Sequence, residues 1–234
     1  MLTNHRKSLA RALAILMAFA GVVMLTMVFY PLVSYKITAN RKFPTLLVPT
    51  EEMPESKTTG ENQVIDYTKA SNWFADSSAK FDESKVTYYT MSVAKLGINN
   101  ATVAVGGEEL AKHLIQYPGT AMPGKRGNVV IFGHSTLPSL YDPKNYLSIF
   151  STLPSLDVGD DIILYYDGVT YTYRVENLIE VSPTDIQILE QNVSDSFVSL
   201  ITCTPPGDPR KPRRLIARAR IVPLGKTRNE NNWN

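Results

Sequence analysis

Phe197-Val198-Ser199-Leu200-Ile201-Thr202-Cys203 runs apolar and β-rich until it meets Thr204-Pro205-Pro206-Gly207-Asp208-Pro209. Phe197 to Thr202 reads as a buried strand. Prolines donate no ladder hydrogen bond and glycine weakens a strand, so Cys203 falls where strand gives way to loop. Loop edges held by a rigid scaffold are where reactive groups gather. Pairing resumes at Arg214-Leu215-Ile216-Ala217-Arg218-Ala219, which Arg214 opens. Antiparallel pairing of these two strands would bring thiol and guanidinium together from adjacent strand ends.

Cys203 is the single cysteine of 234 residues. A free cysteine is commonly a small buried hydrophobe, inert for want of a base. The nucleophile reading therefore needs partners. One cysteine excludes an internal disulfide framework and a cysteine-built zinc site. Three histidines (His5, His113 and His134) weigh against a multi-histidine metal centre, and a net charge of +2 gives no basic surface for nucleic acid. Twelve tyrosines, many in alternating runs, favour strands.

The chain divides into five segments. Residues 1–11 form a basic tail holding Arg6, Lys7 and Arg11. Residues 12–33 form an anchor, since Ala12 to Tyr30 carries no charge and approaches the ~20 residues that span a bilayer. A cleaved signal peptide is the rival, with Ala18-Phe19-Ala20 as its cleavage pattern, but the apolar run continues well past Ala20. Lys36, Arg41 and Lys42 balance the upstream cations, so the positive-inside count is a draw, and the terminal amine tips it toward a cytoplasmic N-terminus. Residues 34–84 read as an extracytoplasmic linker punctuated by Pro44, Pro49 and Pro54. Within it Ser71 to Lys80, with Trp73 and Phe74, is either a short helix lying on the domain or part of the linker. Residues 85–224 are the folded domain, and residues 225–234 a polar tail.

Inside the domain, strands are expected at Val86–Ala94, Ala101–Val105, Asn128–His134, Ile162–Tyr166, Val169–Val181, Phe197–Thr202 and Arg214–Val222. Asn128–His134 is apolar enough to be central. Short helices are expected at Glu108–Ile115, Asn145–Phe150 and Ile186–Glu190. The hexapeptide Ser135-Thr136-Leu137-Pro138-Ser139-Leu140 recurs at Ser151 to Leu156, an echo read as local turn chemistry. Seven or eight strands with few helices make a mostly β, mostly antiparallel barrel or sandwich.

A thiol becomes a useful nucleophile beside a base or cation. His134 ends its strand as Cys203 ends its own. Leu215, Ala217, Ala219 and Ile221 share the face that suits a core, so Arg214, Ile216 and Arg218 point the other way. The site is expected as a groove on the outer face of the sheet, open to an extended peptide.

These residues resemble the sortase family of membrane-anchored cysteine transpeptidases. The nucleophile motif T-L-x-T-C stands here as Ser199-Leu200-Ile201-Thr202-Cys203, the G-H pair as Gly133-His134, and R-L-I-x-R as Arg214-Leu215-Ile216-Ala217-Arg218. Tyr117-Pro118-Gly119-Thr120, Pro123-Gly124 and Gly127-Asn128 are also similar, and the resemblance spans Tyr88 to Val222. It implies a closed β-barrel of seven to eight strands preceded by one transmembrane helix. It also implies that Cys203 attacks a Leu-Pro-x-Thr-Gly-type sorting signal and forms a thioacyl enzyme. His134 would serve as acid and then base, and Arg214 would hold the substrate and oxyanion. Arg213 and Arg210 are weaker rivals to Arg214. Thr202 and Ser135 are assigned to the substrate side. The implied partners are surface proteins bearing the signal and an amine from a peptidoglycan precursor or a lysine of another surface protein.

No cofactor is expected. Calcium at Asp160, Asp161 and Glu180 is the alternative, but adjacent acids before a strand read as a solvated turn. Tyr141-Asp142-Pro143 is similar to the aspartate-proline lid of pilin-polymerising sortases, yet it follows His134 where that lid precedes it, and reads as a turn. Two further functions compete: a hydrolysing cysteine peptidase, disfavoured because papain-like enzymes place cysteine before histidine, and a membrane-tethered binding domain with an inert thiol.

Overall fold

The computed structural model describes residues 2–43, 66, 68–73 and 87–223. Helix α1 (Leu2–Lys42) precedes eight strands: β1 (Thr87–Val93), β2 (Ile98–Val105), β3 (Leu114–Gln116), β4 (Gly127–Phe132), β5 (Asp161–Tyr166), β6 (Val169–Val181), β7 (Ser196–Thr204) and β8 (Arg213–Ile221). They close into a barrel in the order β1-β2-β3-β4-β7-β8-β6-β5, with β5 pairing back to β1. Closure leaves the sheet no free edge. Most neighbours are antiparallel as expected, but β2–β3 and β4–β7 are parallel. The β4–β7 pairing needs a long crossover, which the chain supplies with β5 and β6.

Every residue of β4 and β7 is buried. Strand alternation explains how both faces are filled. Val129, Ile131, Val198, Leu200, Leu215 and Ala217 point into the barrel with Met91, Ile98 and Leu164. Val130, Phe132, Ile201, Cys203 and Ile216 point outward, into a second cluster with Trp73, Leu110, Ile115 and Tyr117. Predominantly apolar runs are what two-sided burial requires, and the buried polar members are paired, Ser199 with Asn128 and Thr202 with the Gly133 carbonyl. β7 ends at Thr204, one residue past the nucleophile candidate, and the prolines then stop the ladder.

Two segments expected as helices are not helical. Residues 106–113 form a loop, and Leu114 and Ile115 extend into β3 between β2 and β4. About two turns of helix are marginal alone, whereas a third strand here fills the gap in the barrel. Residues 145–152 are successive turns. The repeated hexapeptides carry short 3-10 turns at Pro138–Leu140 and Leu153–Ser155, and Asp142 caps a turn by accepting from the Lys144 N–H at 2.9 Å.

α1 is 41 residues long, about 60 Å at ~1.5 Å per residue, twice the ~30 Å apolar core of a bilayer. Residues Arg11–Ala39 are long and apolar enough to cross a membrane, and Leu13, Leu16, Phe19, Met24 and Phe29 are exposed on it. The helix runs beyond the expected boundary at residue 33, through Pro31, and its last turns dock on the barrel. Ala39 and Phe43 enter the inner core, with Tyr35 packed against them. These three residues are spaced i, i+4 and i+8, one helical face. Lys42 Nζ donates to the carbonyls of Pro154 and Leu156 at 3.1 and 2.9 Å and pairs with Asp157 at 2.8 Å.

Gly133, the residue after β4, marks a close approach of packed side chains to the backbone. A Cβ there would stand 2.5 Å from the Phe150 ring and 2.7 Å from Leu114 Cδ2. Gly133→Ala is expected to cost about 2 kcal/mol by overpacking and to lower Tm by roughly 4–8 °C in a calorimetric scan of the full chain in detergent. An unchanged Tm would contradict this packing.

Candidate active site

The β7–β8 register sets Cys203 directly opposite Arg214. Both side chains fall on the outer face, as the alternation of Leu215, Ala217 and Ala219 required. β4 lies on the other side of β7, with Phe132 opposite Ile201, so two further steps bring His134 alongside Cys203. Three hydrogen bonds lock this junction: the Gly133 N–H to the Ile201 carbonyl at 3.1 Å, Thr202 Oγ1 to the Gly133 carbonyl at 2.8 Å, and Ser135 Oγ to the Cys203 carbonyl at 2.7 Å. Thr202 and Ser135, assigned by resemblance to the substrate side, thus each donate their hydroxyl to a main-chain carbonyl of this junction. Thr202 precedes Cys203 by one residue and must face the opposite way. Ser199, two positions further back on the outward face, donates to Asn128 Oδ1 at 2.9 Å.

The outer groove is covered. A 3-10 turn, Ala70–Trp73, lies across it, held by the Ala70 N–H to the Glu108 carbonyl and the Leu110 N–H to the Thr68 carbonyl, both 3.0 Å. Ser71 also donates to the Glu108 carboxylate. Trp73 stacks on Phe132 at 5.2 Å between centroids and tilts over His134 at 5.9 Å. Arg214 Nη2 donates to the Trp73 carbonyl at 3.1 Å, its guanidinium 5.4 Å from the indole centroid. Nη1 is held by the carbonyls of Lys211 and Arg213 at 2.9 and 3.2 Å. The expected open groove is thus shut, leaving Cys203, His134 and Arg214 only 2%, 5% and 1% exposed.

Covering the groove sets its charge state. Burial pushes the Cys203 thiol above its ordinary value, while the positive charges of Arg214 and Lys211 pull against it. Burial, reinforced by Lys211, pushes His134 down from 6.5 to about 4, and Asp66 opposes weakly. Thiol and imidazole are therefore both neutral in this closed arrangement at pH 7. Among the described residues His134 Nε2 has no hydrogen-bond partner, so a proton donor or acceptor entering the groove would find it uncommitted.

The remaining candidates separate cleanly. Arg213 sits on the opposite face to Arg214, 3.4 Å from Glu180. Arg210 is exposed and pairs with Asp208 at 2.7 Å. His113 lies in the 106–113 loop against Tyr88, and the side chain of His5 lies outside the described residues. Asp160 pairs with Lys95 at 2.9 Å and Asp161 with Arg174 at 2.9 Å. Among the described residues no three His, Cys, Asp or Glu gather as metal ligands. Two residues at the site had not been singled out for it. Trp73 is legible only as part of an aromatic pair in a polar segment, and Lys211, between Arg210 and Arg213, carries no signal of its own in the sequence.

A family model described as a sortase domain matches residues 91–222. Sortase A of Streptococcus agalactiae serotype III (strain NEM316) is 22% identical over 130 residues, 56% of this chain and 47% of the relative, so the match spans about half the relative's length. Among solved structures, a lid mutant of sortase A from Corynebacterium diphtheriae superposes with TM-score 0.52 and 26% identity over 62% of this chain and 75% of that one. The pilus-related sortase C of Group B Streptococcus gives 0.51 and 26% over 62% and 71%. A Clostridium perfringens sortase D5 transpeptidase gives 0.50 and 24% over 60% and 84%. With a sortase-domain model matching more than half its length, this chain belongs to the sortase family.

Proposed function

We propose that this chain is a membrane-held cysteine transpeptidase that cleaves a Leu-Pro-x-Thr-Gly-like signal in surface proteins and passes the acyl group to an amine. The observation that carries the reading is the Cys203–Arg214 register pair with His134 at the neighbouring strand end, combined with Arg214 donating to a main-chain carbonyl lying in the groove. A guanidinium already bound to one peptide carbonyl is suited to bind another from a substrate. The acceptor amine is assigned to a peptidoglycan precursor or a lysine of another surface protein. α1 crosses the membrane once, with residues 1–11 cytoplasmic and the barrel outside.

With the groove open, His134 takes the Cys203 proton, and the thiolate attacks the carbonyl carbon of the scissile peptide bond. Arg214 stabilises the negative charge that develops on oxygen. The tetrahedral adduct collapses as imidazolium protonates the leaving amine, which departs and leaves a thioester on Cys203. An incoming amine then gives its proton to His134 as it attacks the thioester, and the thiolate leaves and recovers a proton. No metal enters this scheme, and Asp160, Asp161 and Glu180 are each already engaged by protein partners. The turn at Trp73 is a lid in this account. A sortase A relative whose solved form is a lid mutant supports that assignment.

Full-length chain in nanodiscs, given a quenched Leu-Pro-x-Thr-Gly peptide and triglycine, is expected to release the leaving peptide and ligate the amine. Cys203→Ala abolishes both, and Arg214→Ala lowers kcat roughly 10²–10³-fold, with lysine at 214 a poor replacement. No turnover with several signal variants would contradict the proposal.

Trp73→Ala is expected to raise the rate of iodoacetamide alkylation of Cys203 at least about tenfold, equivalent to ~1.4 kcal/mol of lid closure. An unchanged rate would remove the lid.

The depressed His134 value also fixes a sign. An open form, with imidazole hydrated and near 6.5, binds a proton that the closed form accepts only near 4. Closure is therefore fully favoured above 6.5 and is lost as pH falls from there toward 4. In a Trp233→Phe chain, Trp73 fluorescence should shift red across that window, and His134→Gln should flatten the shift. The same titration in both chains would contradict it.

A further inference from the structure

Behind the Cys203–Arg214 pair, on the inward face of the sheet and one strand beyond β8, lies a buried carboxylate that the proposed chemistry does not use. Glu180, on β6, is 7% exposed. It pairs with Leu215 in the β6–β8 ladder, which puts it on the inward face. Its Oε1 accepts hydrogen bonds from Thr204 Oγ1 at 2.8 Å and from the Tyr35 hydroxyl of α1. Its Oε2 lies 3.4 Å from Arg213 Nε. Thr204 and Arg213 are themselves register partners, the next rung after Cys203 and Arg214.

The geometry has a consequence for the rung in front. β7 alternates, so fixing Thr204 from behind fixes where Cys203 points, and fixing Arg213 does the same for Arg214. A cleft of about 220 Å³, lined by Tyr35, Lys36, Ala39, Glu180, Pro205 and Arg213, runs beside the carboxylate. Without α1 that cleft would open to water and Glu180 would lose one of its donors. Tyr35 lies about 36 Å along the helix from Arg11 at ~1.5 Å per residue, past the ~30 Å apolar core of a bilayer. The helix end is independently tied down by Lys42 on the carbonyls of Pro154 and Leu156.

We propose that Glu180 is a positioning residue for the nucleophile and the arginine, and that Tyr35 of the anchor helix completes its site, so that the last turns of α1 belong to the catalytic unit. The role rests on the transpeptidase reading, but the positioning itself can be read without turnover. Arg214 is the charge that favours the Cys203 thiolate most strongly, with Lys211 behind it and neutral His134 beside it. Misplacing Arg214 therefore raises the pH at which Cys203 becomes reactive.

The test compares Tyr35→Phe, Glu180→Gln and Glu180→Ala in the full chain in nanodiscs. Each is measured for kcat, KM and Tm, and, in a Trp73→Ala background, for the pH midpoint of Cys203 alkylation. Positioning predicts that Tyr35→Phe lowers kcat about five- to tenfold with KM within twofold. Glu180→Ala should lower kcat further, and Glu180→Gln, which keeps an acceptor oxygen for Tyr35 and Thr204, should recover part of the loss. The alkylation midpoint should rise by ~0.5–1 unit in Glu180→Ala. Unchanged kcat in all three would overturn the proposal. So would equal losses in Gln and Ala tracking Tm alone, with a fixed alkylation midpoint. If the parent chain shows no turnover the transpeptidase reading fails, and the alkylation midpoint then decides the positioning claim by itself.

Discussion

The rung that joins Cys203 to Arg214 is the constraint on which the rest of this molecule turns. Two antiparallel strands place thiol and guanidinium on one face, and the parallel neighbour β4 delivers His134 to the same end. The backbone under each of the three is held by a ladder or by the hydrogen bonds at Gly133, Thr202 and Ser135. A barrel suits this arrangement because closure fixes every strand against two neighbours, so reactive groups at strand ends inherit the rigidity of the whole sheet. The stiff frame explains why β7 is buried throughout: one face packs the interior and the other carries the groove.

The turn that covers this rigid site has an electrostatic consequence. A covered thiol and a covered imidazole are each driven toward neutrality by burial. The lid fills the groove with an indole and a backbone carbonyl, offering Phe132 a stacking partner and Arg214 an acceptor. In the proposed mechanism, opening it would hydrate His134, remove the burial that raises the thiol and free a donor of Arg214. In that mechanism one movement would supply access, charge state and substrate anchor together, with the incoming peptide competing against the contacts of a short turn.

Much of this was legible in the sequence. The apolar run Phe197–Thr202 ending at Cys203 and the prolines placed β7 within two residues at its C-terminal end. The parity of Leu215, Ala217 and Ala219 assigned Arg214 outward and Arg213 inward, as found. Parallel pairing of β4 with β7 was not legible, because strand sense depends on which strands the crossover skips and not on the composition of either. Leu114 and Ile115 misled for a related reason, since local helical content yields to the gap between β2 and β4. The cover over the site hid in a polar segment whose docking depends on Phe132 and Arg214, far away in the chain. The extension of α1 was written at Tyr35, Ala39 and Phe43, but Lys36, Thr38, Arg41 and Lys42 among them made the stretch read as linker.

In the proposed reaction Cys203 becomes covalently acylated by a peptide carbonyl. The acyl enzyme can be sought by incubating the Trp73→Ala chain with a Leu-Pro-x-Thr-Gly peptide and no amine, quenching in acid, and mapping the digest by mass spectrometry. The expected result is a thioester-linked acyl fragment on the peptide containing Cys203, removed by hydroxylamine and missing in Cys203→Ser. A chain whose thiol reacts with iodoacetamide yet carries no acyl group with any signal tested would contradict it.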